Sequence, residues 1–220
     1  MDLNFTAEYE EFRQEVRAFL ARAWTDRPDR DVARFRSEAT AQGYLYRAFP
    51  RQYGGSERPA DAIENTVIAE EFARAKAPGE VKGMGTQMLA PTLLDRGELW
   101  QKERFIAPTL SGEITWCQGY SEPGAGSDLA SLRTRGELID GEWVIEGQKV
   151  WTSFAKTADY MFALVRTEPD AAKHAGLSYL LIDMNQPGID IRPLKQITGE
   201  QDFNEVFLSG VRTPGAGAPR

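Results

Sequence analysis

The stretch Gln118-Gly-Tyr-Ser-Glu-Pro-Gly-Ala-Gly-Ser-Asp128, followed by a strand-patterned segment and then by Gly147-Gln-Lys-Val-Trp-Thr-Ser153, joins a Gly/Pro-bent loop to a strand end bearing an indole and two hydroxyls. Pro123-Gly124 is a turn signal. Gly124-Ala125-Gly126 permits dihedrals and close approaches that a Cβ would block. Ser121 and Ser127 bracket the bend with hydroxyls able to donate or accept, and successive N–H groups in such a turn can form an anion-binding nest. A loop of this composition is also what a plain strand connection looks like. It is not a dinucleotide fingerprint, since no G-x-G-x-x-G opens a helix, and not a Walker loop, since no Gly-Lys-Ser/Thr follows.

The second element narrows the choice. Trp143-Val-Ile-Glu-Gly147 reads as a strand into a turn, and Gln148 to Ser153 continue extended. Trp151 offers a large π surface suited to stacking on another ring, although a strand tryptophan is more often a core aromatic. Strand alternation puts Ser153 on the same face.

Around these motifs the hydrophobic period changes once. Thr6 is a candidate N-cap for a helix carrying Tyr9, Phe12, Val16, Phe19 and Leu20 at helical spacing. A second helix is expected over 29–43, a loop over 44–58, and a third helix opened by Pro59 and running through Phe72. Residues 83–94 and 98–110 supply two more, with a break at Gly97. From Ile114 the runs shorten to strand length: 115–120, 132–139, 143–145, 160–166, 177–184, 189–194 and 205–208. The expected fold is α+β: an all-α amino-terminal domain (1–113), then an antiparallel β domain, barrel or sandwich-like (114–213), and a Pro/Gly/Ala tail (214–220).

Composition limits the function classes. Among 220 residues 41% are hydrophobic and 27% charged, the proportions of a globular protein. One cysteine, Cys117, excludes an internal disulfide framework and fits a reducing compartment. A formal charge of −7 argues against nucleic-acid binding. No apolar run is long enough to span a bilayer, and Met1-Asp-Leu-Asn lacks the features of a signal peptide, so the expected location is the cytoplasm. His174, the one histidine, has no companions at metal-ligand spacing, and no metal site is expected.

Tyr120 to Arg135, Gly141, Trp143 to Ser153, Ala158-Asp-Tyr and Leu164-Val-Arg-Thr167 resemble the signature of the acyl-CoA dehydrogenase family. The likeness extends upstream to Met1-Asp-Leu-Asn-Phe5, Phe12 to Phe19, Pro50 to Gly55 and Met88 to Thr92, and downstream to Phe203-Asn-Glu-Val-Phe207. It covers essentially the whole chain. The resemblance implies FAD as cofactor, with contacts from Gln118, Tyr120, Ser121, Gly126, Ser127, Trp151, Thr152 and Ser153. Ser121 would meet the pyrimidine edge of the flavin, Ser127 would also touch the acyl-CoA substrate, and Trp151 and Ser153 would flank the isoalloxazine near N5. Many relatives carry an aromatic where Gln118 stands, and Thr where Ser121 and Ser153 stand.

The implied reaction is α,β-dehydrogenation of an acyl-CoA to the trans-2-enoyl-CoA, with an electron-transfer flavoprotein as acceptor. Homo- or hetero-oligomers are implied as well. The family's third, helical region has no counterpart here, so the expected catalytic base lies beyond Arg220, none of these residues is assigned as catalytic, and this chain alone is expected to show little activity. Glu122, the one acid in the loop, matches a family position that holds the bend. Two other readings stay open: a flavin oxidase or monooxygenase on the same scaffold, and a non-catalytic partner subunit.

Overall fold

A computed structural model describes residues 6–215. The Met1–Phe5 segment, and residues 216–220 of the expected tail, lie outside them. The chain separates into two compact units, one ending at Val81 and the other beginning at Lys82.

The first unit is helical. Helix α1 (Ala7–Leu20) buries Val16, Phe19 and Leu20 and continues through a π-helical turn, Ala21–Thr25. Helix α2 (Val32–Gln42) is started by Asp31, whose side chain accepts from Arg34 N–H, and is ended by Gly43 in the left-handed conformation. Helix α3 (Ala62–Ala75) begins three residues after Pro59, the residue expected to open it, because Asp61 caps it by accepting from the N–H groups of Ile63 and Glu64. Aromatic rings fill the space between these helices: Phe35 lies 5.7 Å from both Phe19 and Phe72 and 5.2 Å from Trp24. Under this core Glu71 accepts from Arg13 and Arg17 of α1 and from Arg74.

In the second unit, helices α4 (Ala90–Arg96) and α5 (Leu99–Ser111) precede a seven-stranded sheet. The strands are β1 (Trp116–Gly119), β2 (Arg135–Ile139), β3 (Glu142–Ser153), β4 (Tyr160–Arg166), β5 (Leu177–Asp183), β6 (Ile189–Leu194) and β7 (Phe203–Pro214). Their order is β1-β4-β2-β3-β7-β6, with β5 on β4. The sheet curls into a half-barrel that follows the helices in chain order. Most pairs are antiparallel, but β1 runs parallel to β4 over four residue pairs and β2 meets β4 in parallel at Arg135 and Arg166, so the sheet is mixed. One face packs Cys117, Ile145, Met161, Val165, Ile182, Val206 and Leu208 into the core. Helix α5 sits against the sheet through Phe105, 5.3 Å from Trp116 and 5.2 Å from Tyr160, while Trp116 Nε1 donates to Thr109 Oγ1 at 2.9 Å.

Two strands are longer than the sequence pattern suggests. Pro214, assigned to the tail by composition, ends β7, and Gly147, read as a turn, lies inside β3. Gly147 is needed there for close approach: a Cβ would fall 2.4 Å from Thr134 Oγ1.

Candidate functional site

Strand β3 presents its two faces in turn, and Ile145 and Lys149 both point to the buried side. A lysine in that position needs acceptors, because an unpaired buried ammonium is prohibitive. Lys149, fully buried, finds three: Glu122 Oε1 at 2.9 Å, Leu164 O at 2.7 Å and Tyr120 O at 3.2 Å. Glu122 in turn accepts from Arg133 N–H at 2.6 Å and Thr134 N–H at 2.9 Å. Burial pushes the Glu122 carboxyl up, but hydrogen bonds from Thr134 and Arg133 and the Lys149 charge outweigh it and hold it below the usual range. For Lys149 burial dominates and lowers its pKa against the pull of Glu122.

This pair roots the 118–128 loop. Glu122 and Ala125 exchange backbone hydrogen bonds of 2.9 and 3.0 Å, closing a tight turn over Pro123-Gly124. Ser121 O accepts from Val150 N–H at 2.9 Å, so the loop is stitched to β3 one residue before Trp151. Gly124 and Gly126 do not use positive φ, and an added Cβ at either would meet nothing within 4 Å. Their small size therefore serves no internal packing and leaves the main chain open to approach from outside. A shallow cavity of about 330 Å³ beside the turn is walled by Pro123, Gly124, Arg133, Gly147 and Gln148.

The end of β3 is irregular. Lys149 pairs with Val206 and Thr152 with Asn204, so three steps on β3 oppose two on β7, a β-bulge with one extra residue. Trp151 in the bulge has φ 60°, and Phe154 beyond it φ 59°. A bulky side chain in the left-handed region costs about 1–3 kcal/mol. Both rings are nevertheless turned outward, 60% and 58% exposed, with Trp151 edge-on to Phe203 at 6.0 Å. Among the described residues neither ring gains the burial that would repay such strain, so this edge is a candidate contact surface.

The expected contact residues divide into three groups. Ser121, Trp151 and Ser153 come together on the stitched edge, and the hydroxyls of Ser121, Ser127 and Ser153 make no hydrogen bond to the described residues. Gly126 and Ser127 are exposed beyond the turn, next to Asp128, which pairs with Lys173 at 2.5 Å. Gln118, Tyr120 and Thr152 are otherwise engaged. Gln118 Nε2 donates to Met88 Sδ at 3.7 Å, and Tyr120 packs edge-on to Phe162 and Tyr179. Thr152, expected among the cofactor contacts, is completely buried on the core side, because the extra residue in the bulge resets the alternation. Its hydroxyl is buried without a hydrogen-bond partner.

The sequence reading passed over Lys149 and Asn204. Counting by twos from Ile145 would have placed Lys149 in the core, and counting back from Leu208 and Val206 would have done the same for Asn204.

An outward indole, free hydroxyls beside it and open main chain at a glycine turn suit a flat, hydrogen-bonding ring system such as a flavin. Among the described residues no group of three or more His, Cys, Asp or Glu could hold a metal, and no helix is long and apolar enough to cross a membrane.

Residues 6–113 match the acyl-CoA dehydrogenase N-terminal domain and residues 117–211 the acyl-CoA dehydrogenase middle domain; the chain belongs to the acyl-CoA dehydrogenase family. It is similar to acyl-CoA dehydrogenase IpdE1 of Mycobacterium tuberculosis, 42% identical over 221 residues, which cover 94% of this chain and 57% of that protein. It is also similar to FadE34 of the same organism, 50% identical over 174 residues, 78% of this chain and 24% of that one. Among solved structures, the Tcur3481-Tcur3483 steroid ACAD superposes with TM-score 0.70 at 34% identity, covering 97% of this chain and 57% of that chain. The ChsE4-ChsE5 complex from Mycobacterium tuberculosis gives 0.69 at 32% identity, covering 97% and 56%. The chain thus spans about half the length of the relatives it matches most fully.

Proposed function

We propose that these residues form the FAD-contacting part of an acyl-CoA dehydrogenase that converts an acyl-CoA to its trans-2-enoyl-CoA. The observation that carries this reading is the Trp151 edge: a strained indole held beside Ser121 and Ser153, touched at its edge by Phe203 and otherwise left 60% exposed by the described residues. When bound, FAD supplies the acceptor for the hydride leaving the β-carbon. The chain's residues bind and orient. Trp151 offers a stacking plane, Ser121 and Ser153 offer hydroxyls to ring heteroatoms, and the main chain at Gly126 with the Ser127 hydroxyl meets phosphate or substrate from the open side of the turn.

Glu122 is not the base. A carboxylate already accepting from two N–H groups and a buried ammonium, and held below its ordinary pKa, is a poor proton acceptor. The proton-abstracting carboxylate is therefore assigned to a part of the complete enzyme other than this loop. The two-component relatives support an assembly with a second chain and an acyl-CoA with a steroid-derived acyl group as substrate class; an electron-transfer flavoprotein as the oxidant of the reduced cofactor is carried over from the family resemblance alone.

The test is to mix purified chain with FAD, remove free cofactor and record the flavin absorption, then add acyl-CoAs anaerobically. Retained yellow colour without bleaching fits the reading. A colourless chain at FAD concentrations that load its relatives contradicts it.

A further inference from the structure

We infer that Asn204 is a positioning residue for the Trp151 edge, its carboxamide holding the bulge that turns the indole outward. Asn204 lies on β7 opposite Thr152, 1% exposed, where β3 carries its extra residue. Its Nδ2 donates to Thr152 O at 2.9 Å and to Asp202 O at 3.3 Å. Asp202 O also accepts from Phe154 N–H at 3.0 Å. One amide thus ties a carbonyl within the segment in which Trp151 and Phe154 adopt left-handed dihedrals to the Asp202 carbonyl that also holds the Phe154 N–H.

The residue type follows from this geometry. Two carbonyl acceptors require a two-donor group, which only the NH₂ of an amide provides at that side-chain length. Leucine would fill the volume and leave the bond to Thr152 unmade, and aspartate would set a carboxylate against two carbonyl oxygens. The other end of the amide makes no such tie: Asn204 Oδ1 and the neighbouring Thr152 Oγ1 are both buried without a hydrogen-bond partner. A side chain kept only for packing has no reason to bury an orphaned oxygen; one kept for its donors does.

The consequence for cofactor binding rests on the proposed function, whereas the consequence for Trp151 does not. The experiment separates them. Asn204→Asp and Asn204→Ala are made in the 220-residue chain, each alone and with Trp151→Phe, so that the Trp151 emission is obtained by difference. Val211→Ala, a packing loss at the far end of β7, serves as control. Without FAD, both Asn204 variants are expected to raise acrylamide quenching of the Trp151 component as the ring leaves Phe203, and Val211→Ala only to lower Tm. With FAD, the Asn204 variants are expected to bind about tenfold more weakly or worse, the loss of a buried amide hydrogen bond. An unchanged Trp151 component in folded Asn204→Ala would overturn the inference, whether or not Asn204→Asp folds. If the parent chain binds no FAD, the proposed function falls and the quenching result alone decides the role of Asn204.

Discussion

Among the described residues two carboxylates are buried, Glu71 in the helical unit and Glu122 in the sheet unit, and they are neutralised differently. Glu71 is held by three guanidinium groups, Arg13, Arg17 and Arg74, the last two partly in water. Glu122 is held by one fully buried ammonium and two backbone N–H groups. The first arrangement joins side chains and fastens helix α1 to α3. The second fixes main chain, because Lys149 also grips the carbonyls of Tyr120 and Leu164. Similar buried charges therefore join helices in one unit and place the main chain of the 118–128 loop in the other.

The largest effect is expected from Lys149→Met. Removing one partner of a buried pair costs about 3–5 kcal/mol, and urea unfolding should show most of the chain's second unit weakened, with FAD retention lost as the loop comes free. Glu71→Ala should cost less, about 2–3 kcal/mol, since Arg17 and Arg74 can turn to solvent. Its FAD affinity at temperatures where the chain is folded should equal the parent's. Equal effects of the two variants on FAD would erase the distinction drawn here.

Acid sharpens the same comparison. Burial opposes ionisation of both glutamates, but hydrogen bonds win and both titrate below their usual value. A carboxyl whose folded pKa is depressed stabilises fully above the unfolded value of about 4.3 and loses that contribution as pH falls through the folded one. Stability should thus be level near neutrality and decline below the ordinary carboxylate range. Glu71→Gln and Glu122→Gln should each flatten the decline, and only Glu122→Gln should also alter FAD retention. The smallest effect on stability belongs to Trp151→Gly. Glycine tolerates φ 60° without the Cβ clash of an L-residue, so Tm should hold or rise by the equivalent of about 1 kcal/mol, while FAD binding weakens by about tenfold.

Much of this was visible in the residues. The switch from helical to strand periodicity near Ile114 located the sheet, and the Pro123-Gly124 turn with Ser121 and Trp151 marked the candidate edge. What was not visible came from three-dimensional coincidences. The parallel contact of β1 with β4 depends on which strands the curl brings together, which alternation within a strand does not encode. Gly147 looked like a turn because nothing in sequence shows that Thr134 will press against it. The bulge at Trp151 carries no glycine to announce it, so alternation was applied to Ser153 as if the strand were regular, and the burial of Thr152, expected from the family resemblance as a contact, could not be foreseen. Lys149 could have been found, since a lysine two steps beyond a glycine and four beyond a core isoleucine is already a buried-charge signal.

The central claim is that the outward face of Trp151 is where a flavin lies. Titration of FAD into the chain, with tryptophan emission as readout, tests it most directly against the same titration of Trp151→Phe. A saturable quench is expected on binding whose main component disappears in the variant, with the remaining four tryptophans, Trp24, Trp100, Trp116 and Trp143, contributing little. A quench of equal amplitude and affinity in Trp151→Phe would contradict it.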